Sequence, residues 1–164
     1  MRIALALVFL AAPSVAQEAW DSAPDIAACM AADDATAKRA CIGKAAENCM
    51  ETSEGGYTTL GMSMCAAAET DGWDAVLNAE YTRTMDWSRA MDAEDQTHFP
   101  EFAKREETLR AAQRAWIAFR DAECGYAYAQ WGAGSMRHIA GTSCMLDMTA
   151  TRAIELFEMR EVMR

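Results

Sequence analysis

The chain has 164 residues, a formal net charge of −10 and six cysteines. A charge of that size opposes binding to nucleic acid and to anionic membranes, and it would attract a cationic partner. The length is sufficient for one domain with its own hydrophobic core.

The N-terminus has the composition of an export signal. It combines one positive charge at Arg2, an apolar run to Ala12, and small residues at Ser14 and Ala16. This pattern predicts a secretory signal peptide at residues 1–16, because the apolar run is too short to span a bilayer. The mature chain, residues 17–164, would then be a single periplasmic or secreted domain whose charge is −11 after the loss of Arg2. No later stretch is apolar enough to insert into a membrane.

All six cysteines lie after the predicted cleavage site. An even number in an exported chain predicts three disulfides, although six cysteines allow fifteen pairings. Zinc binding is the competing interpretation, but no C-x-x-C pair occurs and neither His98 nor His138 lies near a cysteine cluster. We therefore expect no metal and no cofactor. Pairing of nearest neighbours predicts the disulfides Cys29–Cys41, Cys49–Cys65 and Cys124–Cys144.

The first elements predict a helical hairpin. A short helix is expected from Asp25 to Met30, and Asp33-Asp34, followed by Ala35-Thr36, supplies a turn and the N-cap of a second helix that continues to Met50. In a hairpin that turns near Asp34, Cys29 and Cys41 lie at similar heights on facing helices. A disulfide between them would staple the hairpin.

Three longer helices are expected after a Gly-containing loop at 53–57. The first runs from Thr59 to Met91, with a bend at Asp71-Gly72, and the others run from Glu101 to Trp131 and from Cys144 to Met163. No segment alternates apolar and polar residues long enough to indicate a sheet. The sequence therefore predicts an all-α fold, a small disulfide-linked helical bundle with a stapled N-terminal hairpin.

The second long helix carries a mixed stripe. Leu109, Gln113, Trp116, Arg120 and Cys124 recur every three or four residues, so they lie along one side of the helix. An Arg and a Gln on an otherwise buried stripe need partners, because an unpaired buried charge costs several kcal/mol.

The partners of Arg120 are expected on the following helix. Asp121 is its neighbour in sequence but points about 100° away, so we do not expect the two to pair. Thr149 and the backbone near Cys144 are the nearest candidates, and Arg152 could join the same network. The network would either fix the packing of the last two helices or form a recognition site.

The residues in this region resemble the signature of the LprI-type lysozyme-inhibitor family, also catalogued as a domain of unknown function. The similarity is carried by L-x-x-x-Q-x-x-W-x-x-x-R-D-x-x-C, a second cysteine and T-x-x-R, and upstream by C...W-D-x-x-L-N-x-x-Y, mainly within residues 65–156. It implies a small, exported, helical, disulfide-linked domain, of a family in which at least one member inhibits lysozyme. The matching residues are Leu77, Asn78, Tyr81, Gln113, Trp116, Arg120, Asp121, Thr149 and Arg152.

The sequence offers little that could carry catalysis. No serine lies in a G-x-S-x-G context, and oxidised cysteines cannot act as nucleophiles. We therefore expect a protein that is not an enzyme. Trp116, Phe119 and Tyr128 fall at helical spacing, which is more typical of core residues than of a ligand platform.

An unusual stretch, W-G-A-G-S-M-R-H, lies between the last two cysteines. A Gly-rich loop tethered by a disulfide, with an aromatic residue and a Met, could insert into the cleft of a partner. An ordinary helix connection with Gly at the C-cap is the simpler alternative. The candidate partner-binding residues are Trp131, Ser135, Met136, Arg137 and His138.

The function expected from these features is that of an exported lysozyme-inhibitor-like binding protein. It would occlude a lysozyme or another cationic wall-degrading enzyme, with opposite net charges accelerating the encounter. The alternative is a periplasmic structural or stress-related helical module that binds an endogenous envelope protein.

Overall fold

The computed structural model describes residues 20–163, so the predicted signal peptide lies outside the described residues. These residues form six α-helices and one 3-10 turn with no strand among them, which confirms the predicted all-α fold. No helix within residues 20–163 is long and apolar enough to cross a membrane. The helices are α1 (Ala23–Met30), α2 (Ala35–Arg39), α3 (Lys44–Thr52), α4 (Thr59–Asp95), α5 (Arg105–Ala129) and α6 (Met136–Val162), and the 3-10 turn is Pro100–Phe102.

The central helix is α4, which contacts α1, α3, α5 and α6. Its Trp73 is fully buried and belongs to the same core as Ala150, Ile154 and Leu156 of α6. Full burial of a large apolar side chain stabilises a fold by roughly 1.5–3 kcal/mol. The pair α4–α6 therefore forms the core on which the other helices pack.

Gly72 lets α1 pass close to α4. The sequence predicts a bend at Asp71-Gly72, yet α4 remains helical through both residues. A Cβ atom at position 72 would collide with Ile26 Cδ1 and Ser22 Oγ. The Ser22 hydroxyl also donates a hydrogen bond to the carbonyl of Ala68 at 2.9 Å. The glycine thus serves the close approach of α1.

The N-terminal hairpin contains three short helices instead of the two predicted. The predicted N-cap near Asp33-Asp34 is supplied by Asp34, whose carboxylate accepts the N–H of Ala37 at 2.8 Å. The prediction that this helix continues to Met50 is wrong. Gly43 adopts a left-handed φ of 91° and interrupts it, and α3 begins at the next residue, Lys44.

The disulfides confirm the predicted pairing of nearest neighbours. No cysteine among the described residues is free. Loss of one such bridge costs roughly 2–5 kcal/mol in a small exported domain. The bridges are Cys29–Cys41, Cys49–Cys65 and Cys124–Cys144, with Cα–Cα distances of 5.6, 5.6 and 5.3 Å.

A buried carboxylate joins the hairpin to the core. Glu69 Oε1 accepts the N–H of Gly43 at 2.8 Å and Trp73 Nε1–H at 2.9 Å, and Oε2 accepts the N–H of Ala46 at 2.7 Å. The two backbone groups lie at the N-terminus of α3, where free N–H groups and the helix dipole favour a negative charge. Glu69 therefore fixes both the start of α3 and the indole of Trp73.

We expect Glu69→Gln to destabilise the fold by roughly 1–3 kcal/mol, because an amide NH₂ cannot accept and one buried donor loses its partner. Urea unfolding measures this change. The matched control is Glu51→Gln on the exposed face of α3, which should change stability by no more than about 0.5 kcal/mol. Equal stabilities for the two variants would contradict the role of Glu69.

The start of α5 differs from the prediction because α4 supplies its cap. Asp92 accepts the backbone N–H of Arg105 at 3.0 Å and of Glu106 at 2.9 Å. Nη1 of Arg105 also donates to Asp92, at 3.2 Å. The helix therefore begins at Arg105, after a 3-10 turn, and not at Glu101, and α4 extends past Met91 to place Asp92.

Asp92 gives the α4–α5 junction a dependence on pH. Burial alone would raise its pKa, but the N–H groups of Glu106 and Arg105, with the Arg105 guanidinium, outweigh burial and hold the pKa below its usual value. Such a group stabilises the folded state above its unfolded-state pKa, and the stabilisation is lost as the pH falls through the folded-state pKa.

We expect Asp92→Asn to lower the Tm at neutral pH, with a difference from the wild type that disappears as the pH falls through the lowered pKa of Asp92. Circular dichroism melts between pH 2 and 8 measure both curves. Asp86→Asn, at an exposed carboxylate of the same helix, is the control and should leave the melts nearly unchanged. A difference that is constant with pH would show that the charge of Asp92 contributes nothing.

Candidate functional site at the end of the α5–α6 hairpin

The predicted stripe on α5 faces α6 and α4. Gln113 and Cys124 are buried, at 5% and 4% exposure, while Leu109, Trp116 and Arg120 are half-buried. This confirms that the five residues share the inner face of one helix. The polar members of the stripe therefore meet their partners on α6.

Trp116 lies near two guanidinium groups. Arg120 Cζ is 5.2 Å from a ring centroid of Trp116, and Arg152 Cζ, from α6, is 5.9 Å from one. Arg152 Nε also donates to Gln113 Oε1 at 3.1 Å, and its Nη1 donates to Glu155 at 3.2 Å. Cation–π contacts of this kind contribute about 0.5–2 kcal/mol. The indole and both guanidinium groups thus link α5 to α6.

Arg120 has two partners. Its Nη1 donates to Thr149 Oγ1 at 3.4 Å, as the sequence predicts. The prediction that it does not pair with Asp121 is wrong, because Nε and Nη2 donate to Asp121 Oδ1 at 3.0 and 2.9 Å. The long arginine side chain turns along the helix surface, which overcomes the angle between the two Cβ directions. The geometry favours the structural interpretation of this network.

The upstream motif residues meet the stripe in a groove between α4 and α5. Asn78 Nδ2 donates to Asp74 Oδ2 at 2.8 Å at the edge of this groove. The sequence segments that resemble the family are thus adjacent in space. The motif residues that line the groove are Leu77, Asn78, Tyr81, Gln113, Trp116 and Arg120.

Two buried acidic residues escape the sequence analysis. Glu69 and Glu80 are both buried, and Glu80 accepts from Arg160 Nε of α6 at 3.0 Å. Acidic side chains are seldom buried, so the residue types alone do not predict the burial of Glu69 and Glu80. Their spacing does indicate burial, because both lie on the same helical face as Trp73 and Leu77.

The loop between α5 and α6 is shorter than predicted. The last helix begins at Met136 and not at Cys144, since no proline interrupts residues 136–144 and Gly141 packs against Tyr128. The candidate residues Met136, Arg137 and His138 therefore lie in the first turn of α6. Only Trp131 and Ser135 lie in the connection that remains.

The structure brings these candidate residues together around Tyr128. The Arg137 guanidinium lies 5.6 Å from the centroid of the Tyr128 ring, and His138 packs edge-on against the same ring at 5.4 Å. Arg137 Nη1 also donates to the carbonyl of Gly132 at 3.3 Å. Trp131 is 50% exposed. We call this surface, formed by residues 126–138, the hairpin tip.

The hairpin tip is aromatic and free of acidic residues. No Asp or Glu occurs from Cys124 to Cys144, in a chain that has 25 acidic residues. The expectation that Phe119 and Tyr128 are core residues is wrong, because Phe119 is 59% and Tyr128 is 38% exposed. Phe119 lies on the side of α5 away from its neighbouring helices, whereas Tyr128 is only partly covered by Arg137, His138 and Gly141 of α6.

Among residues 20–163, no group of three or more His, Cys, Asp or Glu side chains is placed to hold a metal ion. What the geometry offers is a contact surface: exposed rings, one arginine and a disulfide that holds both helices in place. Such a surface is suited to binding a macromolecule.

Fold and site define a class of small, all-α, disulfide-linked proteins with an exposed tip between the last two helices. Within that class, the chain belongs to the family described as "Lysozyme inhibitor LprI", which matches residues 49–156. A protein of Rhizobium meliloti (strain 1021), described as uncharacterized protein R02472, is similar to it, with 32% identity over 102 residues that cover 62% of this chain and 73% of that protein. No solved structure matches the chain. The family match includes Cys49 and the later cysteines and excludes the Cys29–Cys41 hairpin.

We expect Arg120→Ala to lower stability by roughly 1–2 kcal/mol, because Thr149 and Trp116 lose a partner, and to lower the Tm by roughly 3–8 °C. Differential scanning calorimetry measures both. Glu123→Ala, at an exposed position of the same helix, is the control and should change the Tm little. If Arg120→Ala melted like the wild type but failed to bind a partner, Arg120 would be a recognition residue.

Proposed function

We propose that this protein is an exported inhibitor that binds a lysozyme or another cationic wall-degrading enzyme and occludes its active-site cleft with the hairpin tip. The observation that carries the proposal is the aromatic, acid-free tip on an otherwise acidic protein. Membership of the family supports the class of partner. Three disulfides and the N-terminal sequence support export to an oxidising compartment.

The charge distribution suits such a partner. A wall hydrolase of the lysozyme class has catalytic carboxylates in its cleft and a basic surface around it. We call the part of the protein outside the hairpin tip the body. The body would be attracted to the basic surface, because the chain has a net charge of −10. The tip has Arg137 as its charged residue and would meet the carboxylates without repulsion.

The tip is also held in one shape before binding. The disulfide Cys124–Cys144 joins α5 and α6 at its base, and Arg137 packs on Tyr128 within it. A rigid surface loses little conformational entropy on association, so more of the contact free energy is retained as affinity. Trp131, half-exposed at the outer end, has the side chain type that most often dominates such interfaces.

We expect the oxidised mature protein to bind a basic c-type lysozyme and to slow its lysis of bacterial cell walls, with an association rate that falls as salt rises. The reason is that 0.1 M salt screens the attraction of net charges over about 10 Å. Surface plasmon resonance and a turbidity assay measure the two effects. Trp131→Ala should weaken affinity at least about tenfold, whereas Val162→Ala, at an exposed apolar position at the other end of α6, should not.

A charge reversal distinguishes long-range electrostatic attraction from insertion of the tip into the cleft of the enzyme. Arg137→Glu makes the protein more acidic, so general steering alone predicts faster association with a basic enzyme. Insertion of the tip into an acidic cleft predicts weaker binding instead. Glu51→Lys, a reversal on the body, should slow association and leave the dissociation rate unchanged. If several lysozymes remained uninhibited at micromolar concentration and low salt, the inhibitor proposal would fail, and an endogenous envelope protein would become the partner to seek.

A further inference from the structure

The outward face of α5 is apolar and has no neighbour among the described helices. Phe119 and Tyr126, two turns apart on this face, are 59% and 61% exposed. The residues beside them, Ala115, Ala118 and Ala122, are small and also exposed. Exposed aromatic rings on one helix face are typical of a surface that is covered by a partner.

The charged residues along one edge of this face are complementary to the same residues of a second copy of the chain. Arg114 and Asp121 are seven residues apart, so they lie on the same side of the helix, about 10.5 Å apart along its axis. A twofold axis through the midpoint between them, near Ala118, exchanges their positions. In two antiparallel copies of α5, each Arg114 would then lie opposite Asp121 of the other copy.

Asp121 is available for such a contact. Its side chain is 57% exposed, and both hydrogen bonds from Arg120 go to Oδ1. Arg114 is exposed on the same edge. A parallel arrangement would instead set Arg114 against Arg114 and Asp121 against Asp121, which is repulsive. The charges therefore select the antiparallel arrangement.

We propose that the outward face of α5 is the interface of a homodimer, in which two copies of this chain pack their α5 helices antiparallel across Phe119. Near the twofold axis the two Phe119 rings would approach each other, and the alanines would let the helices pack closely. A single helix pair is a small interface for two chains of net charge −10, so association is expected on the order of micromolar. The two hairpin tips would lie at opposite ends with Trp131 and Arg137 outside the interface, so the proposal does not depend on the function of the tip.

Sedimentation velocity of the oxidised mature protein, from about 1 to 200 µM, tests for the dimer. The wild type should shift from monomer to dimer over this range, and Phe119→Glu should weaken association at least about tenfold. Leu60→Glu, which places the same charge on an exposed apolar site of α4, is the control and should leave the equilibrium unchanged. A wild type that stayed monomeric throughout, or a dimer insensitive to Phe119→Glu, would overturn the proposal.

The charge pairing predicts a rescue that no other arrangement produces. Arg114→Asp alone and Asp121→Arg alone should each weaken the dimer, because like charges then face each other twice. A mixture of the two variants should form a heterodimer near wild-type strength, because both Arg–Asp pairs are restored. Glu51→Arg, remote on α3, mixed with Arg114→Asp should not restore association. A mixture of Arg114→Asp and Asp121→Arg no stronger than either variant alone would rule out the antiparallel register.

Discussion

The carboxylate of Glu69 is the contact through which the two parts of this protein are joined. It holds the start of α3 through the N–H groups of Gly43 and Ala46, and it holds the indole of Trp73 at the centre of the α4–α6 core. An apolar residue at this position would leave three buried donors without acceptors, which costs more than the burial of an acid that all three solvate. The docking of the stapled hairpin and the orientation of the central tryptophan therefore depend on one side chain.

The register of α6 depends on further polar contacts along its length. Arg160 meets the buried Glu80 of α4 at 3.0 Å, and Arg152 meets Gln113 of α5 at 3.1 Å. Buried pairs of this kind contribute little net stability because both partners lose hydration. They do penalise every alternative register, in which a buried charge would be left unpaired. Fixing α6 in this way also fixes where the hairpin tip projects.

The distribution of charge gives this fold two different surfaces. All 25 acidic residues lie outside the segment from Cys124 to Cys144. An acidic body favours encounter with a cationic partner over long distances, and an acid-free aromatic end allows close contact with carboxylates. The disulfide at the base of the tip keeps the second surface in a defined position relative to the first. The contrast between the two surfaces follows from the residue types that lie between Cys124 and Cys144.

Local pattern by itself determined the helical class, the stripe from Leu109 to Cys124 and the three disulfides, because helical periodicity and short sequence separation act within one segment. Only the tertiary structure decided which faces are covered. Phe119 is exposed because α5 packs on one side alone, and α5 starts at Arg105 because Asp92 of another helix caps it. Likewise the burial of Glu69 and Glu80 depends on donors from distant segments, Gly43 and Arg160. Burial is a property of helix pairs, and a helical period shows which residues share a face without showing what lies opposite that face.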